Sequence, residues 1–224
     1  MCASAENEKD RPAARDDSQA VYRHDARPPC TSGYLVPVVV RACRVAGARR
    51  VLDLGCGNGT LCRALADAGF EVVGLEPSPT GVAAARQAVP EGVFHCGSVY
   101  DGPGGVPECD FDVVVSTEVV EHLYRPAALP ALAFAKLKSG GRFVVSTPYH
   151  GYLKNLLLAL ANRWDSHHAP DWDGGHIKFW SRRTLTALLE ANGFRVLAFQ
   201  GAGRIPWLWK SMVLMAEKTS GGRA

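Results

Sequence analysis

The segment Ser116-Thr117-Glu118-Val119-Val120-Glu121-His122-Leu123 brings two carboxylates and an imidazole close together in the chain. Glu118, Glu121 and His122 stand at i, i+3 and i+4, so a helical turn would place all three on one face. Such a set allows two kinds of chemistry. It can hold a divalent cation, and its oxygen and imidazole donors suit Mg²⁺ or Mn²⁺ more than a thiolate-seeking ion. Alternatively the carboxylates are structural and His122 is a general base. A second reactive stretch, residues 148–180, is crowded with Tyr149, His150, Tyr152, Trp164, His167 and His168, then Trp172, His176 and Trp180. Rings of this kind can sandwich a planar molecule, and histidines can deprotonate it. Within the same stretch Leu153, Leu156, Leu157 and Leu160 have the spacing of a packed helix face.

A third constellation offers backbone more than side chains. Val51-Leu52-Asp53-Leu54-Gly55-Cys56-Gly57-Asn58-Gly59-Thr60 joins a short apolar run to a helix start. Glycines there allow a tight turn and close approach to a ligand. The helix N-terminus presents N–H groups to a carboxylate. Glu76 closes the next apolar run, where a carboxylate can accept hydrogen bonds from ribose hydroxyls. Gly97-Ser98-Val99 follows the third.

The elements that must position these groups alternate. Strands are predicted at 50–54, 71–75, 92–96, 111–116 and 142–146. Helices are predicted at 34–45, 60–68, 79–88, 127–137 and 181–191. Short apolar strands separated by helices imply parallel βαβ units buried on both faces. Two last strands, 195–200 and 210–216, have no helix between them, and a connection as short as 201–209 permits only antiparallel pairing. Residues 148–180 interrupt the alternation as an insertion after the fifth strand.

Over Arg50–Glu217 the DLGCGNG loop, the strand-end Glu76 and this layout resemble the class I S-adenosylmethionine-dependent methyltransferases. The resemblance implies an α/β, Rossmann-like methyltransferase fold. Its sheet is seven-stranded and mostly parallel, with a closing antiparallel hairpin and a helical lid insertion at 148–180. Residues 1–29 are expected to form a mobile tail, and 30–224 one methyltransferase domain. The implied cofactor is S-adenosyl-L-methionine, with Asp53 facing its amino end. The implied cofactor set is Asp53, Gly55, Cys56, Gly57 and Glu76, followed by Pro77, Ser98, Val99 and Thr117. The acidic residue usual after the third strand is absent. Ser98 stands there, and Asp101 is the substitute. Ubiquinone-pathway O-methyltransferases carry a similar ExxEH element. Small-RNA 2′-O-methyltransferases add a later histidine as fourth ligand, and Gly175-His176-Ile177-Lys178-Phe179-Trp180 resembles the segment that carries it. The metal set so implied is Glu118, Glu121, His122 and His176. The catalytic candidates are His122, His150 and Glu118. Acceptor binding is assigned to Tyr149, His150, Trp172 and His176.

The 224 residues, 47% hydrophobic and 21% charged, suffice for one α/β domain with a full core. A net charge of +3 is too mild to indicate a nucleic-acid partner. Seven scattered cysteines with no CxxC pair point to reduced thiols rather than a zinc cage or disulfide framework. No apolar run is long enough to span a bilayer and no targeting segment is visible, so a cytoplasmic location is expected. Three functions compete. One is methylation of an oxygen or nitrogen of a small acceptor, aromatic, quinone-type or a secondary metabolite. The others are metal-dependent 2′-O-methylation of RNA and non-catalytic cofactor binding in regulation.

Overall fold

The computed structural model describes residues 27–168 and 174–219. The expected tail lies outside the described residues for 1–26, as do Asp171, Trp172 and Asp173. Helix α1 (Ser32–Val45) precedes β1 (Arg50–Leu54), α2 (Thr60–Asp67), β2 (Glu71–Glu76), α3 (Pro79–Ala88) and β3 (Val93–Cys96). Then come β4 (Phe111–Thr117), α4 (Ala128–Lys136) and β5 (Leu137–Pro148). Two helices of the insertion, α5 (Tyr152–Leu160) and α6 (Trp164–His168), lead to α7 (Arg182–Glu190), β6 (Phe194–Ala202) and β7 (Ser211–Lys218). The strands form a seven-stranded sheet in the order β3-β2-β1-β4-β5-β7-β6. The first five are parallel, and β7 runs antiparallel between β5 and β6.

Side chains leave successive strand positions on opposite faces, and here both faces are covered. Leu52, Leu54, Val114, Phe143 and Val145 face α4 and α7, packing on Leu129, Leu132, Leu185 and Leu189. Val51, Val113, Val115 and Val144 face the other way, against Leu35, Val39 and Cys43 of α1 and Leu61 and Leu65 of α2. Local chemistry sets the helix starts. Ser78 accepts from the Gly81 amide at 3.4 Å, with Pro79 in the first turn of α3. Ser181 and Thr184 cap α7 reciprocally. One strand is longer than its apolar run suggests. β5 begins at Leu137, pairs that residue with Phe111, and passes an irregularity before Arg142 meets Val113.

The insertion corrects one expectation. The leucines of α5 are not a packed face. Leu153, Leu156 and Leu157 are exposed and Leu160 is 75% exposed, while the buried residue of this helix is Lys154. Its polarity is inverted relative to the fold. No helix among the described residues is long and apolar enough to cross a membrane.

Candidate active site

The parallel strands β1 and β4 deliver their ends side by side, and the two loops that leave them touch. Gly55, Gly57 and Gly59 all have left-handed backbone, with φ of 82°, 54° and 80°. Gly55 needs it twice over. A Cβ there would lie 2.5 Å from Val119 Cγ2, so the glycine turn presses directly on the segment after β4. Gly59 abuts the backbone of Ala85 in α3, again too closely for a side chain. Ser116 Oγ donates to the Leu54 carbonyl at 2.8 Å and locks the two strand ends together.

Asp53 and Glu76 stand at this turn. Asp53 is buried, accepts from the Cys62 thiol at 3.4 Å through Oδ2, and leaves Oδ1 without a hydrogen-bond partner. Burial raises its carboxyl to about 7, with the nearby Glu76 charge adding to the rise. An orphaned buried acceptor fits a ligand that brings a cationic donor, as an amino-acid ammonium does. Glu76 is also buried. Oε2 accepts from the Gly57 amide at 3.0 Å and Oε1 from the Ser78 amide at 2.9 Å. A carboxylate oxygen can accept more than one hydrogen bond, so ribose hydroxyls can share this group with the amides. Cys56 is turned into the core beneath the loop, where Gly74 makes room for its sulfur. It therefore offers backbone rather than thiol to a ligand. Pro77 uses its carbonyl to accept from Cys96. Ser98 and Asp101 form a capping pair, with the Ser98 amide donating to Asp101 Oδ2 at 2.7 Å. Asp101 thus shapes the Gly97–Val99 loop. Val99 is buried and Thr117 half-buried at the end of β4.

The carboxylate–histidine element is not one helical face. Glu118 has φ of 56°, and only Val120–His122 form a single 3₁₀ turn. Glu118 consequently points towards β5 and β7. It accepts from Ser146 Oγ at 2.8 Å and from Ser211 Oγ at 3.1 Å. Burial raises its carboxyl to about 7. Glu121 turns elsewhere. Oε2 accepts from Thr147 Oγ1 at 3.0 Å, and Oε1 is buried with no hydrogen-bond partner. Burial, and then the Glu118 charge, push the Glu121 carboxyl well above its ordinary value.

His176 joins Glu121 from 55 residues on, because backbone pins its segment in place. The Ile177 and Lys178 amides both donate to the Glu121 carbonyl at 3.0 Å. His122 Nδ1 lies 2.8 Å from the Gly174 carbonyl and 3.3 Å from that of Gly175. A carbonyl only accepts, so Nδ1 carries the proton and Nε2 keeps its lone pair. Nε2 stands 4.0 Å from Glu121 Oε1, and the His122 and His176 rings meet edge-on at 4.9 Å. One donor atom each from Glu121, His122 and His176 falls within a 4.8 Å set. Burial lowers His122 below its ordinary pKa and takes His176 to about 4, so both are neutral near pH 7. Of the four ligands that the resemblance implies, Glu121, His122 and His176 converge and Glu118 does not.

A cavity of about 210 Å³ opens beside His176, bordered also by His150, His167 and His168. His150 stacks on His168 at 5.6 Å, and burial takes its pKa to about 4, which makes it a weak base. Tyr149 does not line this space. It is buried, packing edge-on against Trp209 at 5.2 Å and near Phe199 at 6.4 Å. Trp209 thereby belongs to the packing at the sheet edge, while Trp207 is exposed. Sequence reasoning missed Lys154, Arg204 and Lys210, which line the same cavity. A lysine interrupting the leucines of α5 was the available signal.

Comparison with known proteins agrees with the fold. Residues 14–198 match a family described as a methyltransferase domain. The ubiquinone biosynthesis O-methyltransferase of Bradyrhizobium diazoefficiens is 33% identical over 162 residues, covering 68% of this chain and 61% of that protein. A Mycolicibacterium smegmatis protein named a probable S-adenosylmethionine-dependent methyltransferase is 35% identical over 164 residues, covering 71% of this chain and 58% of its own. The chain thus spans about six tenths of the length of these relatives. The crystal structure of magnesium protoporphyrin IX methyltransferase from Synechocystis, with bound S-adenosylhomocysteine, shares the fold. Its TM-score is 0.64 at 19% identity, over 83% of this chain and 82% of that one. The matched length and the curated relatives make this chain a member of the class I S-adenosylmethionine-dependent methyltransferase family.

Proposed function

We propose that the protein methylates a hydroxyl oxygen of a small aromatic or quinone-type acceptor. The observation that carries the reading is the orphaned Glu121 Oε1. It faces His122 Nε2 and His176 on a turn pressed against the cofactor loop through Gly55 and Val119. S-adenosylmethionine, when bound, supplies an electrophilic methyl group. Asp53 and Glu76 orient its two ends, and the Gly55–Gly59 turn admits it closely. An oxygen nucleophile must lose a proton, and His122 Nε2, which carries no proton when Nδ1 is the donor, can take it. Holding acceptor and donor in line accounts for much of the rate in such a site.

Glu121, His122 and His176 also fit a divalent cation. With Glu118 turned away, two imidazoles and one carboxylate remain, which suit Mn²⁺ better than Mg²⁺. The ion would draw an acceptor hydroxyl into the site and favour its ionised form. The proximity of His176 equally supports 2′-O-methylation of RNA as a second reading. A net charge of +3 and a cavity of about 210 Å³ favour the small acceptor.

The deciding experiment is S-adenosylhomocysteine release with catechols, phenols, amines and short RNAs, each with Mn²⁺ and with EDTA. Turnover of catechols or phenols is expected. Release with RNA alone would replace the reading, and full activity in EDTA would leave His122 as the base without a metal.

A further inference from the structure

Among the described residues, the charged side chains that line the cavity beside His176 are all basic. Lys154, Arg204 and Lys210 line it together with four imidazoles, and no carboxylate does so among the described residues. Lys154 is only 5% exposed. Its ammonium has three donors, and its hydrogen bond is a single one, to the Tyr149 carbonyl at 2.8 Å. Glu118 attracts it from a distance, while Arg204 repels it. A second polar atom here is also unmet, since His168 Nε2 is buried without a hydrogen-bond partner. Burying a cation among like charges with idle donors is costly unless an anion completes the arrangement.

The imidazoles do not add to the charge. Burial and the neighbouring Lys154 ammonium take His150 and His167 to about 4, so both are neutral near pH 7. They offer N–H groups and flat walls, with His150 and His168 stacked at an interplanar angle of 19°. About 210 Å³ is below the usual size of a whole ligand pocket and matches one substituent or ring. His176 belongs both to this cavity and to the Glu121–His122 group, so one molecule can reach both.

We propose that the acceptor carries an anionic substituent, seated by Lys154, Arg204 and Lys210, with its hydroxyl at the Glu121–His122–His176 end. This rests on the methyltransferase reading and narrows its substrate class to small hydroxyaromatic acids. The anion fills the idle Lys154 donors, and the ring lies along the imidazole walls. Charge-assisted hydrogen bonds give the acid form its advantage over a neutral analogue.

Calorimetry on the full chain with S-adenosylhomocysteine tests it, using caffeate and methyl caffeate as probes. Caffeate should bind roughly tenfold or more tighter than the ester, the margin expected of a hydrogen-bonded charge. Lys154→Met and Arg204→Gln should each remove most of that preference, Lys154→Arg should keep it, and cofactor affinity should hold in all three. Arg204 is exposed, so its variant reports even if Lys154→Met does not fold. Inorganic phosphate should compete with caffeate and not with the ester. Equal binding of acid and ester, binding of neither, or a preference that survives Arg204→Gln overturns the proposal. Failure of the methyltransferase reading looks different, with caffeate bound but no methyl transferred to any probe.

Discussion

Burial raises the Asp53 carboxyl from 3.8 to about 7. Between those values the folded chain holds a proton that the unfolded chain has released, so stability falls as pH rises through the window. Above it the ionised, buried carboxylate costs on the order of 4 kcal/mol. Asp53→Asn removes that charge at nearly constant shape. The variant should melt several degrees higher than the parent at pH 8 and bind S-adenosylmethionine roughly tenfold more weakly, for want of an ionic acceptor. Thermal melts and calorimetry read the two effects, and a lower melting point with unchanged affinity would dismiss both. His122 works in the opposite sense. Burial lowers its pKa, with the Gly174 and Gly175 carbonyls resisting, so it stays neutral into mild acid. The acid limb of kcat/KM should therefore lie below pH 6.5 and vanish in His122→Ala. A limb above pH 7 would mean that another group titrates. Residue types here were readable from the sequence, while the approach of His176 to Glu121 and His122 was implied only by the resemblance of its segment. The orientation of Glu118 was not, because one left-handed residue before the turn breaks the helical spacing on which the reading depended.

The strands of the sheet were legible because continuous apolar runs buried on both faces leave little choice of register. Helix α5 was legible as a helix but not in its facing. Leucine spacing fixes which residues share a side, and says nothing about which side meets the core. Since Lys154 is the buried residue of α5, few apolar contacts hold this helix to the body. Its amides should exchange with solvent far faster than those of β4, whose Val113–Ser116 are fully buried. Comparable protection in α5 and β4, measured by hydrogen exchange, would contradict this. The glycine loop behaves as the rigid counterpart. Gly55→Ala meets Val119 Cγ2 at 2.5 Å and is strained at φ 82°. It should cost at least about 1 kcal/mol in stability and most of the cofactor affinity. Adding Val119→Ala should return only part of each, since the backbone strain persists.

At the scale of the whole molecule, the cofactor and the fold are thermodynamically linked. A ligand that binds only the folded chain at a hundred times its Kd adds about 2.7 kcal/mol of stability. S-adenosylmethionine should therefore raise the melting temperature of the parent, and Glu76→Ala should blunt the rise by removing both Glu76 acceptors. An unchanged melt at saturating cofactor would count against the site. The position of β7 has a different consequence, felt while the protein is being made. β7 is the last strand among the described residues, yet it lies between β5 and β6. On the ribosome, β5 emerges with its outer edge unpaired and waits for more than sixty further residues before β7 can pair with it. During that interval a nascent chain exposes a run of unsatisfied amides and carbonyls beside Val144 and Val145, a template for pairing with a neighbouring chain. Soluble yield should thus depend on how fast translation passes through β6 and β7, and on chaperones that shield the waiting edge.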